Sequence, residues 1–338
     1  MDLERVPELW FPDGNVVLQA EDHVFKVFQG ILAARSPIFK DMFSFPQPQE
    51  RAPEDEFEGC PLVPMMGDSA HEVACFLQAI FDSEFFPAYP ARTEFDIIEG
   101  CLRMSHKYQV DYIRQRALVH LSSGFPTELA LLDRRRYNSS ELAAVERTSW
   151  LPPPNPEYGS IPVPVLFRAI SLAREVEALW ILPLAFYHLS SHLTHPERLA
   201  HYLTFRDNEE ATFSERDWVA FLHGHGAFSH IAIPLLSCVS NYRVDPRCGC
   251  RAPHHCESVR LKALGKFHDL ADKRLAQPLH IFRIAADGPL KKVCASCFEH
   301  LQLALAECRE QLWNKLPRKY GIGKWEDLRK IKKEALGL

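Results

Sequence analysis

Long apolar runs are missing from this chain of 338 residues; none approaches the ~20 residues that a membrane-spanning helix needs. The opening MDLERVPELWF carries acid where a secretory leader would carry base, and no apolar core follows it. These absences lead to the expectation of an intracellular protein, of cytoplasm or nucleus, with no membrane partner. In such a compartment the ten cysteines are reduced thiols or metal ligands rather than disulfides. An excess of base is also missing. A net charge of −5 argues against a chain built as a whole for nucleic acid or an anionic surface. No Walker loop, G-x-G-x-x-G fingerprint or G-x-S-x-G elbow occurs, so ordinary nucleotide and serine-hydrolase chemistry lack support. No internal repeat is visible. The expectation is a non-enzyme with no small-molecule substrate.

What is present reads as a globular chain, 46% hydrophobic and 25% charged, long enough for one or two domains and a sizeable core. The most informative stretch is residues 25–43, FKVFQGILAARSPIFKDMF. A β-prone run (Val24, Phe25, Val27) gives way to Ile31, Leu32 and Ala34 at helical spacing. Ser36 then suits a helix N-cap, whose oxygen takes a free backbone N–H, and Pro37 suits the first helical position, having no N–H to leave unpaired. Phe39, Met42 and Phe43 follow on that second helix. Upstream, residues 10–28 read as a hairpin turning at Glu21-Asp22. Downstream, residues 44–59 are Pro-rich and acidic and read as an exposed loop. Cys60 to Pro64 suits a short strand. From Ser69, the residues Val73, Phe76, Leu77, Ile80 and Phe81 form one apolar helix face. Phe95, Ile98 and Leu102 mark another helix, and Ile113, Ala117 and Leu121 a third.

The order strand, helix, break, helix in residues 25–43 resembles the centre of a BTB/POZ domain, with Phe28 standing where that family usually has His. SAHEVACFLQAIFDSEFF fills the place of the helix after the third strand. CLRMSHKYQVDYIRQRALVHL is similar to the family's following helix pair, with Lys107-Tyr108 and Val110 in place. The resemblance covers residues 10–123 and is to the large fungal set of such proteins. It implies an α+β N-terminal unit, a short sheet with helices.

Residues 124–160 shift in composition. Arg134-Arg135-Arg136 and LPPPNPEYGSIPVP suggest a linker of polyproline character, with the arginines a solvated basic turn. Residues 161–338 return to helical spacing. Leu166, Ala169, Ile170, Ala173, Val176 and Trp180 share a face, and Leu182-Pro183 starts a helix running to about Leu193. Ser214 and Asp217 resemble a capping box, and Gly224 a stop, with His223 and His225 in the turn. The stretches SLAREVEALWILPLAFYHLS, FSERDWVAFLHGHGAF and LWNKLPRKYGIGKWEDL resemble the C-terminal half of the same fungal proteins. That implies an all-helical second domain.

The strongest chemical constellation is a cysteine set. Cys250 and Cys256 are spaced C-x5-C, and Cys294 and Cys297 are spaced C-x2-C ahead of a helix. Four thiolates from two such pairs can hold tetrahedral zinc, and a helix N-terminus beside the second pair favours thiolate. The resembling fungal proteins show the same arrangement. The expectation is a structural zinc site pinning two helices, with Cys248, His254 or His255 as alternative ligands and buried reduced thiols as the plainer reading. The same residues, His255-Cys256-Glu257 with Cys294-x-x-Cys297, mimic the pattern of zinc deaminases, although Val293 replaces the usual Pro. His188, His192 and His195 share a helix face without the H-E-x-x-H order and read as polar surface. The tail from Trp313 carries eight Lys/Arg against three Asp/Glu. There Trp313, Leu316, Tyr320, Trp325 and Leu328 are expected to pack inward beneath a solvated basic face.

Together these features suggest an interaction protein. The BTB resemblance implies self-association or docking of a cullin scaffold through Asp41, Met42, Phe43 and Tyr108. The resemblance thus implies a ubiquitin-ligase substrate adaptor, or else a self-associating scaffold or transcription-related protein. From the dozen residues before Asp13 the expectation is that the swapped strand and helix of the long dimeric BTB type do not form here, with other pairing left open.

Overall fold

The computed structural model describes residues 3–45, 55–137, 150, 161–193, 213–229, 237, 239, 249–274, 279 and 289–338. It opens with β1 (Glu4–Trp10), β2 (Val16–Ala20) and β3 (His23–Val27), followed by α1 (Gln29–Arg35) and α2 (Pro37–Ser44). Next come β4 (Glu56–Phe57), β5 (Cys60–Pro64), α3 (Ala70–Phe81), α4 (Phe95–Lys107) and α5 (Asp111–Gly124). The five strands form one sheet in the order β1-β3-β2-β5-β4. The expected hairpin is β2–β3, antiparallel from Val16↔Val27 to Ala20↔His23. Its turn residue Glu21 sits at φ 54 and turns its carboxylate onto the Ala70 N–H, 3.1 Å away. The turn thereby stabilises the start of α3, where Ser69 makes no side-chain cap.

Strand β1 was not expected. It lies parallel to β3, with the Glu4 N–H bonded to the Asp22 carbonyl at 2.7 Å. Its ERVPELW sequence alternates weakly and carries Pro7, which suits only a sheet edge. Leu3 and Trp10 cover Val17 and Val24 on the sheet face turned away from the main core, with Phe57 edge-on to Trp10 at 6.0 Å. The other face, through Val16, Leu18, Ala20, Phe25 and Val27, meets the helices.

The Ser36-Pro37 reading holds in detail. Ser36 Oγ accepts the Phe39 N–H at 3.1 Å and donates to the Tyr108 carbonyl at 2.6 Å, tying α2 to the α4–α5 corner. Phe39 stacks on Tyr108 with ring centroids 4.6 Å apart. On α1 only Leu32 is buried; Ile31 and Ala34 face outward.

The second half is mostly helical: α6 (Leu129–Tyr137), α7 (Val163–Glu175), α8 (Leu182–His192), α9 (Glu215–Ser229), α10 (Pro253–Arg274), α11 (Ala295–Lys319) and α12 (Trp325–Leu336). Among the described residues no helix is long and apolar enough to cross a membrane. The α8 helix is the hub, buried from Leu182 through Ser190 between α7, α9 and α11. His188 is therefore interior, not polar surface as expected, and His195 lies outside the described residues.

Two further expectations change. Helix α6 falls inside the segment expected to be linker, and Leu129 and Leu132 on it are buried. Trp150 is buried against Gly124 and donates its indole N–H to the His120 carbonyl at 2.8 Å, so this residue of the expected linker docks on α5. The rest of the Pro-rich stretch, most of the acidic loop and the Arg135 and Arg136 side chains lie outside the described residues. Gly224 does not stop a helix. It lies within α9, and a Cβ there would sit 2.1 Å from the Tyr320 ring, so glycine admits the contact between α9 and the end of α11. The Ser214–Asp217 cap is present, with the Asp217 N–H on Ser214 Oγ at 3.1 Å.

One hydrophobic core runs through both halves. Charged pairs cross the seam. Arg168 of α7 bonds Glu99 (Nε, 2.7 Å) and Asp96 (2.6 Å) on α4, while Arg103 of α4 reaches Glu175 (2.9 Å) and Glu72. Arg309 of α11 makes a bidentate pair with Asp133 of α6, at 2.5 and 2.6 Å. Helix α12 returns to α5, and its Arg329 donates to the Thr127 carbonyl at 2.9 Å. The inward-packed tail is as expected: Trp313, Leu316, Tyr320, Trp325 and Leu328 are all buried, Trp313 stacked on Trp325 at 4.9 Å.

Candidate metal centre and partner face

Two helix beginnings bring the cysteines together. Cys256 lies in the first turn of α10 with Cys250 just ahead of it; Cys294 is the N-cap of α11 with Cys297 in its first turn. The four sulfurs lie within 4.8 Å of one another. Cys250 Sγ is 3.8 Å from Cys256 Sγ and 3.7 Å from Cys294 Sγ. A tetrahedron with metal–sulfur bonds of about 2.3 Å has edges of about 3.8 Å. A disulfide would need about 2.05 Å. The spacing therefore fits four ligands around one ion and not a pair of bridges.

The local electrostatics agree with that fit. Cys297 donates its backbone N–H to Cys294 Sγ at 3.5 Å, and this bond together with the neighbouring thiols pulls the Cys294 thiol down to about 7. Burial, followed by the same neighbours, pushes the Cys297 thiol far up. Four thiolates so close would repel by about 4 kcal/mol per adjacent pair at an effective dielectric of about 20. A bound dication removes that conflict; otherwise most of the set stays protonated. The four close cysteines are thus able to bind a metal ion. His254 and His255 are exposed and stand outside the four-sulfur group, and Cys248 lies outside the described residues. Glu257, which a deaminase-like site would aim at the metal, has a side chain 54% exposed and lies 3.8 Å from Arg260. A fourth sulfur occupies the corner such chemistry would leave for water.

The expected partner residues divide. Asp41 is exposed and Met42 and Phe43 are half-buried on α2, with Phe43 stacked on Phe39 at 5.8 Å. Tyr108 is different, because its ring is in the core and its hydroxyl donates to Asp68 Oδ2 at 2.7 Å. Burial, then the Asp68 bond, pushes its phenol far above the usual range. Tyr108 positions α2 from within the core; the apolar ring that fits the family pattern is also the ring the core needs. Exposed apolar residues that sequence reasoning did not single out as contacts include Ile31 on α1, Phe45 just beyond α2, and Met66. Ile31 lies one residue before the buried Leu32, and only the direction of α1 shows that it points out.

The first 123 residues thus form a small mixed sheet covered by helices, with the exposed Asp41 and the half-buried Met42 and Phe43 on one helix face. The comparisons name it: residues 13–123 match the family model of the BTB/POZ domain, an element that mediates protein–protein association, self-association included. The match ends before the cysteine group. No curated protein and no solved structure matches the chain.

Proposed function

We propose that this chain is a non-enzymatic interaction protein that uses its BTB unit to engage a protein scaffold, with a cullin as the partner. Its helical half, held by a structural zinc at Cys250, Cys256, Cys294 and Cys297, carries the recognition surface of a substrate adaptor. The observation that carries this reading is the continuous core and the ion pairs across the α4–α7 seam. They fix the helical half rigidly against a BTB unit whose α1–α2 side stays open, with Ile31, Asp41 and Phe45 exposed. A rigid two-faced body suits bridging. Zinc supplies only cross-linking here, since a closed set of four sulfurs leaves no position for water or substrate. The boundaries proposed are 10–123 for the BTB unit and 161–338 for the helical domain, with 124–160 as a Pro/Arg-rich linker.

The test is titration of the purified chain with a purified cullin N-terminal domain, followed by calorimetry. A one-to-one complex weakened about ten-fold or more by Asp41→Arg supports the adaptor reading. Absence of binding, with the chain eluting as a dimer in light scattering, would replace it with the self-associating scaffold.

A further inference from the structure

The close of α11 and the start of α12 form a V, turned by Gly321 (φ 67) and Gly323 (φ 118). A cavity of about 450 Å³ opens between its arms. Spacing of three and four residues puts Asn314, Lys315 and Arg318 on one face of α11, while α12 supplies Lys324 at its N-cap and Arg329 one turn further on. Four cations therefore line the cavity against one acid, Glu326.

The cations are not consumed by the fold. Lys315, Arg318 and Lys324 are exposed, and among the described residues none forms an ion pair. Arg329 is held in place by the Thr127 carbonyl and lies over the Trp325 ring at 6.0 Å. The positive field is felt locally: burial, and after it the Lys315 ammonium, lower the Lys319 pKa. The free N–H groups at the start of α12 add to that field.

We propose that this cleft is an anion-recognition site for an acidic peptide, taking a phosphoserine or a cluster of carboxylates between Lys315, Arg318 and Lys324. This rests on the reading of the chain as an interaction protein and names the chemistry its helical half selects. Peptide is favoured over nucleic acid because Trp325, the aromatic ring lining the cavity, is only 3% exposed and offers no stacking platform for bases. The Gln311 and Asn314 side-chain amides, at the same cavity, match the hydrogen-bonding needs of a peptide backbone.

The test is fluorescence polarisation with the whole purified chain in about 0.15 M salt. One probe is a fluorescein-labelled peptide bearing one phosphoserine among glutamates; its twin carries Glu in place of the phosphoserine. Saturable binding of either probe, cut about ten-fold or more by Lys315→Glu with Lys324→Glu, is the expected result, and the two probes separate phosphate from carboxylate recognition. Lys330→Glu with Lys333→Glu changes net charge equally outside the cleft and should leave affinity within about two-fold. Three results would overturn the proposal: no binding of either probe, equal loss in both double variants, or tighter binding of a single-stranded oligonucleotide of the same charge. Because the assay does not involve the α1–α2 side, its failure would leave the cullin titration standing.

Discussion

Gly224→Ala should destabilise the protein, against the usual direction for glycine in a helix. An alanine inside α9 would ordinarily gain about 1 kcal/mol from reduced backbone entropy. Here the added Cβ lands 2.1 Å from Cδ1 and Cε1 of Tyr320. That ring cannot step aside freely. It is 1% exposed, stacks on Phe186 at 5.3 Å, and shares a 2.9 Å hydrogen bond with Ser190. Overpacking of this kind costs about 1–3 kcal/mol, and parting two buried hydroxyls adds about 1 kcal/mol. The helix gain offsets only one of those parts, leaving a net loss of about 1–3 kcal/mol. Gly226, two residues on in the same helix, is the internal control, for a Cβ there meets nothing within 4 Å. Gly226→Ala should stabilise by about 0.5–1 kcal/mol. Urea unfolding of both variants gives the two signs directly. If Gly224→Ala stabilised as Gly226→Ala does, Tyr320 would not be docked on α9, and the packing of α11 against α9 would be wrong.

Further outcomes follow from the same structure. Tyr108→Phe leaves the buried Asp68 without its 2.7 Å phenol donor, retaining only Lys107, and should cost about 1–2 kcal/mol in chemical unfolding without exposing a contact face. His120 is buried with its ring nitrogen 2.9 Å from the Pro87 carbonyl. Burial, with Arg116 adding to it, lowers its pKa below the ordinary 6.5. The unfolded chain therefore binds the proton first, so stability falls as pH drops below about 6.5. That slope should flatten in His120→Gln, measured by melting temperature against pH. Cys294→Ala should release the metal and lower the melting temperature, while Cys308→Ala, on the same helix but outside the four-sulfur group, should leave the metal in place.

Local chemistry made the N-terminal unit readable. Ser36-Pro37, the hairpin around Glu21-Asp22 and the apolar face from Val73 to Phe81 each state their own structure within a few residues. The cysteine spacing likewise identified its set before any fold was known, since ligand distance depends on few choices. What stayed hidden depends on partners remote in sequence. Strand β1 pairs through its backbone while its side chains carry little pattern. Gly224 reads as a terminator until Tyr320 is seen filling the space its missing side chain leaves. Tyr108 fits a family contact position, but its packing against Phe39 and its bond to Asp68 make it interior. Trp150 reads as part of a linker from the prolines beside it, and only the closeness of its indole to Gly124 shows that this residue is docked.

The most direct measurement is elemental analysis of the purified chain. About one zinc per chain in the wild type, lost in Cys294→Ala, is the result expected of four sulfurs at tetrahedral spacing. A wild-type protein without zinc or any other metal, equally stable before and after a strong chelator, would contradict it and reduce the cluster to four neighbouring reduced thiols.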